Sequence, residues 1–135
     1  MQIQTMKNKN LLYEFELHIY PRKLWVAVDC SNDYLKQYFD EVIPLDITQY
    51  TTVYDTGTKG KVAFGGIIIC FWYKKYMSVE NIAHESTHAA LEVFDYIGSK
   101  VDLKNQEYLA YLIGYIAKCL DQVKNGNVKN GKLLK

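Results

Sequence analysis

The sequence predicts an α+β fold, with a small antiparallel sheet of about four strands followed by a pair of helices. Residues 11–20 alternate apolar and polar side chains, which is the pattern of a half-buried strand. Residues 78–97 begin with Ser78, a favoured helix N-cap, and stop before Gly98, a favoured helix end. Strand-type segments come first and the two long helix-type segments come last, which is typical of α+β domains.

The composition indicates one folded domain. The chain has 135 residues, of which 49% are apolar and 23% are charged, and these are ordinary values for a globular protein. Residues 11–124 carry the patterned segments and are predicted to form this domain. Residues 1–10 are polar, and residues 125–135 carry Gly, Asn and Lys without acidic side chains, so both ends are predicted to be flexible.

Four segments predict strands. Residues 11–20 and 23–29 are separated by a Pro-Arg turn and predict a hairpin. Residues 47–55 are rich in Thr, Tyr and Val, and residues 62–73 form an almost continuous apolar run. Two adjacent glycines inside the last run, Gly65-Gly66, predict a bulge or a close backbone approach.

Three segments predict helices. A short helix is expected at residues 33–40, capped by Ser31 or Asn32. The helix at residues 78–97 follows the fourth strand. A last helix, apolar on most sides, is expected from Asp102 or Asn105 to Lys124 and should be central to the core.

The net charge, the cysteines and the hydropathy of the sequence indicate which partners and which cellular compartment to expect. The net charge is +1, so nucleic acid is not expected as a partner. The longest apolar runs are too short to span a bilayer, and the first residues lack the apolar core of a secretion signal. The cysteines (Cys30, Cys70 and Cys119) are an odd number without a CxxC pair, which predicts buried thiols and a cytoplasmic protein.

A cluster of metal-binding residue types lies in the helix at residues 78–97. The run His84-Glu85-Ser86-Thr87-His88 is an HExxH motif. Side chains four residues apart lie on the same face of a helix, so both imidazoles can direct a nitrogen at one zinc ion. Glu85 lies about 100° around the helix from His84, where it can act as a general base without binding the metal.

A catalytic zinc site needs a third protein ligand. His18 on the first strand is one candidate, and Glu107 is the better one. The chain runs about ten residues past His88 to Gly98 and can then return in extended form, which brings the start of the last helix back towards His88. Glu107 would then lie close to the histidine pair.

An HExxH helix followed after eighteen residues by a Glu in a second helix resembles the gluzincin class of zinc metallopeptidases. The resemblance implies a minimal zincin-like fold with one Zn²⁺ per chain, bound by His84, His88 and Glu107. It implies that Glu85 is the general base. It also implies that an edge strand before the motif helix binds the substrate backbone, here with the residues Ile67, Ile68, Ile69, Cys70 and Phe71.

The chain also resembles short HExxH proteins of phages and mobile elements, through the segments Ala83–His88 and Glu107–Tyr115. It departs from the large gluzincins because it has no room for their substrate-binding helical domain, so a protein partner or a second copy would complete the cleft. Thermolysin-like enzymes have an Asp four residues after the Glu ligand, where it orients a histidine. This chain has Tyr111 at that position. Candidates for stabilising the oxyanion or supporting the site, each of which can instead be a packed core residue, are Tyr108, Tyr111 and Tyr115.

The predicted function is therefore that of a zinc-dependent metallopeptidase, a hydrolase that cleaves a peptide or protein substrate with metal-activated water. The alternative is a non-catalytic, metal-stabilised binding module, of phage type, that uses the edge of its sheet. A weaker alternative is hydrolysis of a non-peptide amide. Retention of Glu85 favours the enzyme, because a purely structural zinc site has no need of a base.

Overall fold

The computed structural model describes residues 7–44, 51–58 and 65–134. It is an α+β domain, as predicted. The strands are β1 (Leu11–Glu16), β2 (Lys23–Val28), β3 (Thr51–Gly57), β4 (Gly65–Phe71) and β5 (Gly131–Leu133). The helices are α1 (Asn32–Lys36), α2 (Val79–Tyr96) and α3 (Glu107–Lys124), and a single 3₁₀ turn (Lys74–Tyr76) precedes α2.

The five strands form one mixed sheet in the order β3-β4-β2-β1-β5. Three neighbouring pairs are antiparallel, but β2 and β4 are parallel. The predicted antiparallel sheet of about four strands is therefore a mixed sheet of five described strands, in which one of the four pairings is parallel. A parallel pair needs a long crossover, and the chain that contains α1 and β3 provides one between β2 and β4.

The chain ends are more ordered than predicted where the structure describes them. Residues 131–133, expected in a flexible tail, form β5 and pair with β1, and Leu134 N donates to Leu12 O at 2.7 Å. Near the other end, Asn10 N donates to Asp29 O at 2.8 Å. The partners are backbone groups of β1 and of the residue after β2, and the composition of the two chain ends does not reveal such pairing. Residues 1–6 lie outside the described residues.

Most predicted elements are present with shifted boundaries. The third and fourth predicted strands correspond to β3 and β4, although residues 47–50 and 62–64 lie outside the described part of the chain. The last helix begins at Glu107, later than predicted. The predicted close approach at Gly65-Gly66 is confirmed, because a Cβ atom at Gly66 would collide with the backbone carbonyl of Lys23 on β2.

The sheet separates two apolar clusters. On one face, α2 and α3 pack against alternate sheet residues such as Val26 and Ile69. On the other face, α1 and the segment after it pack against Trp25 and Ile68. The resulting layer order is α1, sheet, then the α2–α3 pair. Across the described residues, no helix is long and apolar enough to cross a membrane.

Two of the three cysteines are buried in these clusters, as predicted. Cys70 lies in the α1-side cluster and Cys119 in the α2–α3 cluster, whereas Cys30 is only half-buried. Burial raises the pKa of the Cys70 thiol to about 12 and that of the Cys119 thiol to about 11. Both thiols are therefore protonated near neutral pH and serve as small apolar groups.

Candidate metal and catalytic site

The HExxH residues are held in a well-formed helix. Ser78 caps α2, and its side chain accepts a hydrogen bond from Asn81 N at 3.1 Å, while Glu80 places a negative charge in the first turn. The motif follows this cap within two turns. The imidazoles of His84 and His88 lie on the exposed side of α2 with their ring centroids 4.7 Å apart. The predicted helical pairing of the two histidines is therefore present.

Glu85 points towards the sheet, on the side of α2 opposite to solvent. Only 5% of the residue is exposed, and its Oε1 lies 3.6 Å from His84 Nε2. The side chain of Thr51, the first residue of β3, forms a hydrogen bond with the carboxylate. Burial raises the pKa of Glu85, whereas the nearby His84, the Thr51 bond and His88 act in the opposite direction. The carboxylate is thus shielded from bulk water yet adjacent to the histidines.

The structure brings Glu85 next to the start of β3. Thr51, Val53 and Asp55 lie on the sheet face that α2 covers, in register with Phe71, Ile69 and Ile67 of β4. The HExxH motif therefore lies beside the first residue of β3.

Glu107 is placed at the first position of α3 and is exposed. It lines a shallow groove with other residues from the outer face of α3, including Tyr111 and Gly114. Within residues 7–44, 51–58 and 65–134, no group of three or more His, Cys, Asp or Glu side chains is arranged to hold a metal ion. The two imidazoles lie side by side on α2, but the structure does not add Glu107 to them.

The other candidate ligand, His18, likewise forms no three-ligand group with the histidine pair among the described residues. Its backbone adopts a left-handed conformation with φ of 54°, and its ring contacts that of Tyr115 at a centroid distance of 4.7 Å. The Tyr115 hydroxyl donates to the carbonyl of Glu16 at 2.9 Å. These contacts fasten α3 to the end of β1, which gives both residues a structural role.

Of the tyrosines considered for the oxyanion, two are free to contact a ligand. Tyr108 is 64% exposed and Tyr111 is 74% exposed, so neither is the packed core residue that was the other interpretation. Tyr115 is half-buried against β1. Exposure on the outer face of α3 leaves Tyr108 and Tyr111 available, but it does not place them beside Glu85.

The predicted substrate strand is wrong. Ile67–Phe71 belongs to β4, which is flanked by β3 and β2, so neither of its edges is free for a peptide. All five side chains are buried. The physical signal was present in the sequence, since a continuous apolar run is typical of a central strand that is covered on both faces. The half-polar sequence of β3 is instead typical of an edge strand.

The outer edge of β3 is only partly covered. Near its end, Phe39 forms an isolated bridge with Thr58, and Asp40 N donates to Gly57 O at 2.9 Å. From Thr51 to Tyr54, the outer edge has no strand partner among the residues that the structure describes. This short edge starts at the residue that contacts Glu85.

Comparison with known proteins gave no relatives. No family model matches the chain, and no curated protein and no solved structure matches it.

Proposed function

We propose that the chain is a zinc-dependent metallopeptidase of the gluzincin type with a minimal zincin-like fold. The observation that carries the proposal is the arrangement on α2, where a buried carboxylate at Glu85 adjoins two exposed imidazoles stacked one turn apart. Core histidines would be buried, and a surface glutamate would not be held between a helix and a strand. The combination is what a metal site with a general base requires.

In this proposal His84 and His88 would hold a single Zn²⁺ ion, and Glu107 would be the third ligand. The bound ion would supply a water of lowered pKa and polarise the scissile carbonyl. Glu85 would act as the general base towards the attacking water and as the general acid towards the leaving amine. Burial supports this role, because it holds the carboxylate beside the histidine pair and shields it from bulk water. Thr51 keeps the carboxylate in place.

The substrate in this proposal is an extended peptide that adds to the outer edge of β3. The backbone from Thr51 to Tyr54 offers hydrogen-bonding groups for such strand addition, and Thr51 contacts Glu85. This assignment replaces the β4 segment that the sequence analysis favoured. We propose that a protein partner or a second copy provides the far wall of the cleft. We also propose a cytoplasmic setting, for which the free thiols of the cysteines are the support.

One observation favours the second candidate function, a non-catalytic module that binds metal. The described residues hold two imidazoles together but no third ligand. A weakly held ion on two histidines could stabilise the fold or a partner complex without catalysis. The same edge of β3 would then bind a partner instead of a substrate.

The test is the variant Glu85→Gln, which keeps the size of the side chain and removes the base. Zinc-loaded protein is incubated with a mixed peptide library, and the products are identified by mass spectrometry. We expect wild-type protein to cleave a subset of peptides and the variant to lose about 10²- to 10⁴-fold in rate. Glu80→Gln, the same change at an exposed position one turn earlier on α2, is the matched control and should cleave at the wild-type rate.

Two outcomes would contradict the peptidase. Equal cleavage by wild-type protein and the Glu85 variant would remove Glu85 from the reaction and point to a contaminating protease. Binding of zinc by wild-type protein without cleavage of any peptide would favour the binding module.

A further inference from the structure

A groove of about 450 Å³ runs along the outer face of α3. Its residues recur at helical spacing on one side of the helix, so they form a single stripe. They are Glu107, Ala110, Tyr111, Gly114, Tyr115 and Lys118. All of them are exposed except Tyr115, which is half-buried.

Exposed apolar side chains are concentrated beside this groove. Eleven large apolar side chains are exposed among the described residues, and six of these lie between Tyr96 and Tyr111. This stretch runs from the end of α2 to the second turn of α3. Such a concentration of apolar surface is typical of a face that binds another protein.

The middle of the groove contains Gly114, which the fold of the single chain does not require. It lies within α3, and a Cβ atom there would meet nothing within 4 Å. Glycine inside a helix costs about 0.5–1 kcal/mol relative to alanine. A hollow that accepts a side chain of another molecule gives this glycine a role.

The two ends of the groove have opposite charges. Glu107 and Lys118 lie about 16 Å apart along the helix axis, so they cannot pair with each other. Neither takes part in an ion pair within the part of the chain that the structure describes. A second α3 in antiparallel orientation places its lysine opposite Glu107 and its glutamate opposite Lys118. A parallel second helix would instead place like charges opposite each other.

The antiparallel register set by these charges also matches large side chains with small ones. In this register Tyr111 of each chain lies opposite Gly114 of the other, and Tyr115 lies opposite Ala110. Each contact occurs twice, because a two-fold axis relates the chains. Large residues opposite small ones allow two helices to pack closely.

We propose that the groove is the interface of a homodimer, in which two copies of α3 pack antiparallel about a two-fold axis. Tyr111 of each chain fills the hollow at Gly114 of the other, and an ion pair between Glu107 and Lys118 closes each end. The second copy is the occupant that these observations favour, because the face is complementary to itself in both charge and size.

The inference goes beyond the proposed function, since it needs neither zinc nor catalysis. Tyr115 fastens α3 to β1, whereas the outer edge of β3 lies on the other side of the sheet. A dimer through α3 therefore leaves that edge open. A carboxylate has two oxygen atoms, so an ion pair with one of them leaves the other oxygen of Glu107 for a metal ion.

The experiment measures the oligomeric state of the full chain by sedimentation velocity, from low micromolar to submillimolar protein, with a chelator present. We expect a monomer–dimer equilibrium with a dissociation constant in the micromolar range, because one helix face is a small interface. A wild-type chain that stays monomeric over the whole range would overturn the inference. Neither result bears on hydrolysis, which the Glu85 variant tests separately.

Charge reversals test the register. Glu107→Lys and Lys118→Glu should each weaken dimerisation by about tenfold, because two attractive pairs become repulsive. An equimolar mixture of these two variants should associate as tightly as wild-type protein, since one chain then carries two lysines and the other two glutamates. The double variant Glu107→Lys/Lys118→Glu should also dimerise, which parallel helices would not allow. Glu92→Lys on α2 and Lys129→Glu after α3 are the control variants and should dimerise as wild-type protein does.

Gly114→Leu tests the packing at the centre of the interface. The leucine has room within its own chain but fills the hollow that receives Tyr111, so the variant should stay monomeric at every concentration. Circular dichroism shows whether each variant keeps its fold. A dimer that persists in Gly114→Leu, or a mixture of charge variants that associates no more tightly than either variant alone, would contradict the proposed interface.

Discussion

The two long helices have the same length, 18 residues, but they are specified in different ways. The first, α2, begins at a capping serine and carries the HExxH residues on its own surface. The second, α3, follows Gln106, which makes no capping hydrogen bond through its side chain, and presents Glu107 and exposed tyrosines to solvent. When all residues of a site lie on one helix, helix geometry fixes their relative positions. When a site is shared between two helices, the positions of its residues also depend on the loop that joins the helices and on the rotation of each helix.

Zinc affinity is the strongest test of this contrast. His84→Ala and His88→Ala should each weaken zinc binding by more than about 100-fold, because a direct ligand is lost and outer-sphere partners alone contribute about 10- to 100-fold. Glu107→Ala should also weaken it strongly if α3 completes the site. Asp95→Ala and Asp102→Ala are control variants and should bind as wild-type protein does. Competition against a chromogenic chelator measures each affinity.

The Glu107 result decides what α3 contributes. Unchanged zinc affinity in Glu107→Ala would mean that the third ligand lies elsewhere, and His18 would then be the next residue to test. Unchanged affinity in both histidine variants would exclude a metal site on α2.

The next largest expected difference is in the loss of stability caused by substitutions on the inner and on the outer face of α3. Ile116 is fully buried against α2 and the sheet, so Ile116→Ala should destabilise the fold by about 2–5 kcal/mol. Tyr111 is mostly exposed, and Tyr111→Ala should change stability by about 0.5 kcal/mol or less. Urea unfolding of both variants measures the difference. Similar losses would show that the outer face of α3 is covered in solution.

The caps of the two helices provide a smaller effect. Ser78→Ala removes the acceptor for Asn81 N and should cost about 1 kcal/mol. Gln106→Ala at the start of α3 should cost much less, because the Gln106 side chain caps no backbone group of α3. Thermal unfolding of the two variants compares them directly, and equal shifts in Tm would contradict the contrast.

Glycine substitutions should give the smallest change in the stability of the fold, and the sign of this change should differ between the two helices. A Cβ atom at Gly114, inside α3, would meet nothing within 4 Å, so Gly114→Ala should stabilise the fold by about 0.5–1 kcal/mol. Gly98, just after α2, has a φ of +72°, and alanine there should destabilise it. The midpoint of urea unfolding measures the change in stability for each of the two variants. Destabilisation by Gly114→Ala would indicate that the outer face of α3 needs a close neighbour.

Sequence reasoning succeeded where the signal was local. The spacing of His84 and His88, the Ser78 cap and the α+β order all follow from patterns within a few residues. The identity of the edge strand did not follow, because it depends on β2 and β4 pairing in parallel across a long crossover. The position of Glu107 depends on the loop after Gly98, which has no strong pattern.

The second failure of prediction came from the shortness of an element. The three residues of β5 carry too little alternation to mark a strand, and their pairing with β1 depends on contacts with the far end of the chain. The ion pair between Arg22 and Asp55 was also not predicted, since the two residues come from separate segments and form no motif.

The pairing of β5 with β1 has a consequence for folding and self-association. During synthesis β5 is made after α3, so until then β1 has an open edge whose backbone groups could pair with a strand of another chain. Once docked, β5 presents a very short edge instead, with Lys132 exposed and close to Glu14 at 3.4 Å. Short strands with lysine resist edge-to-edge pairing. Changes that detach β5 should therefore promote strand exchange and aggregation more than they lower the stability of the core.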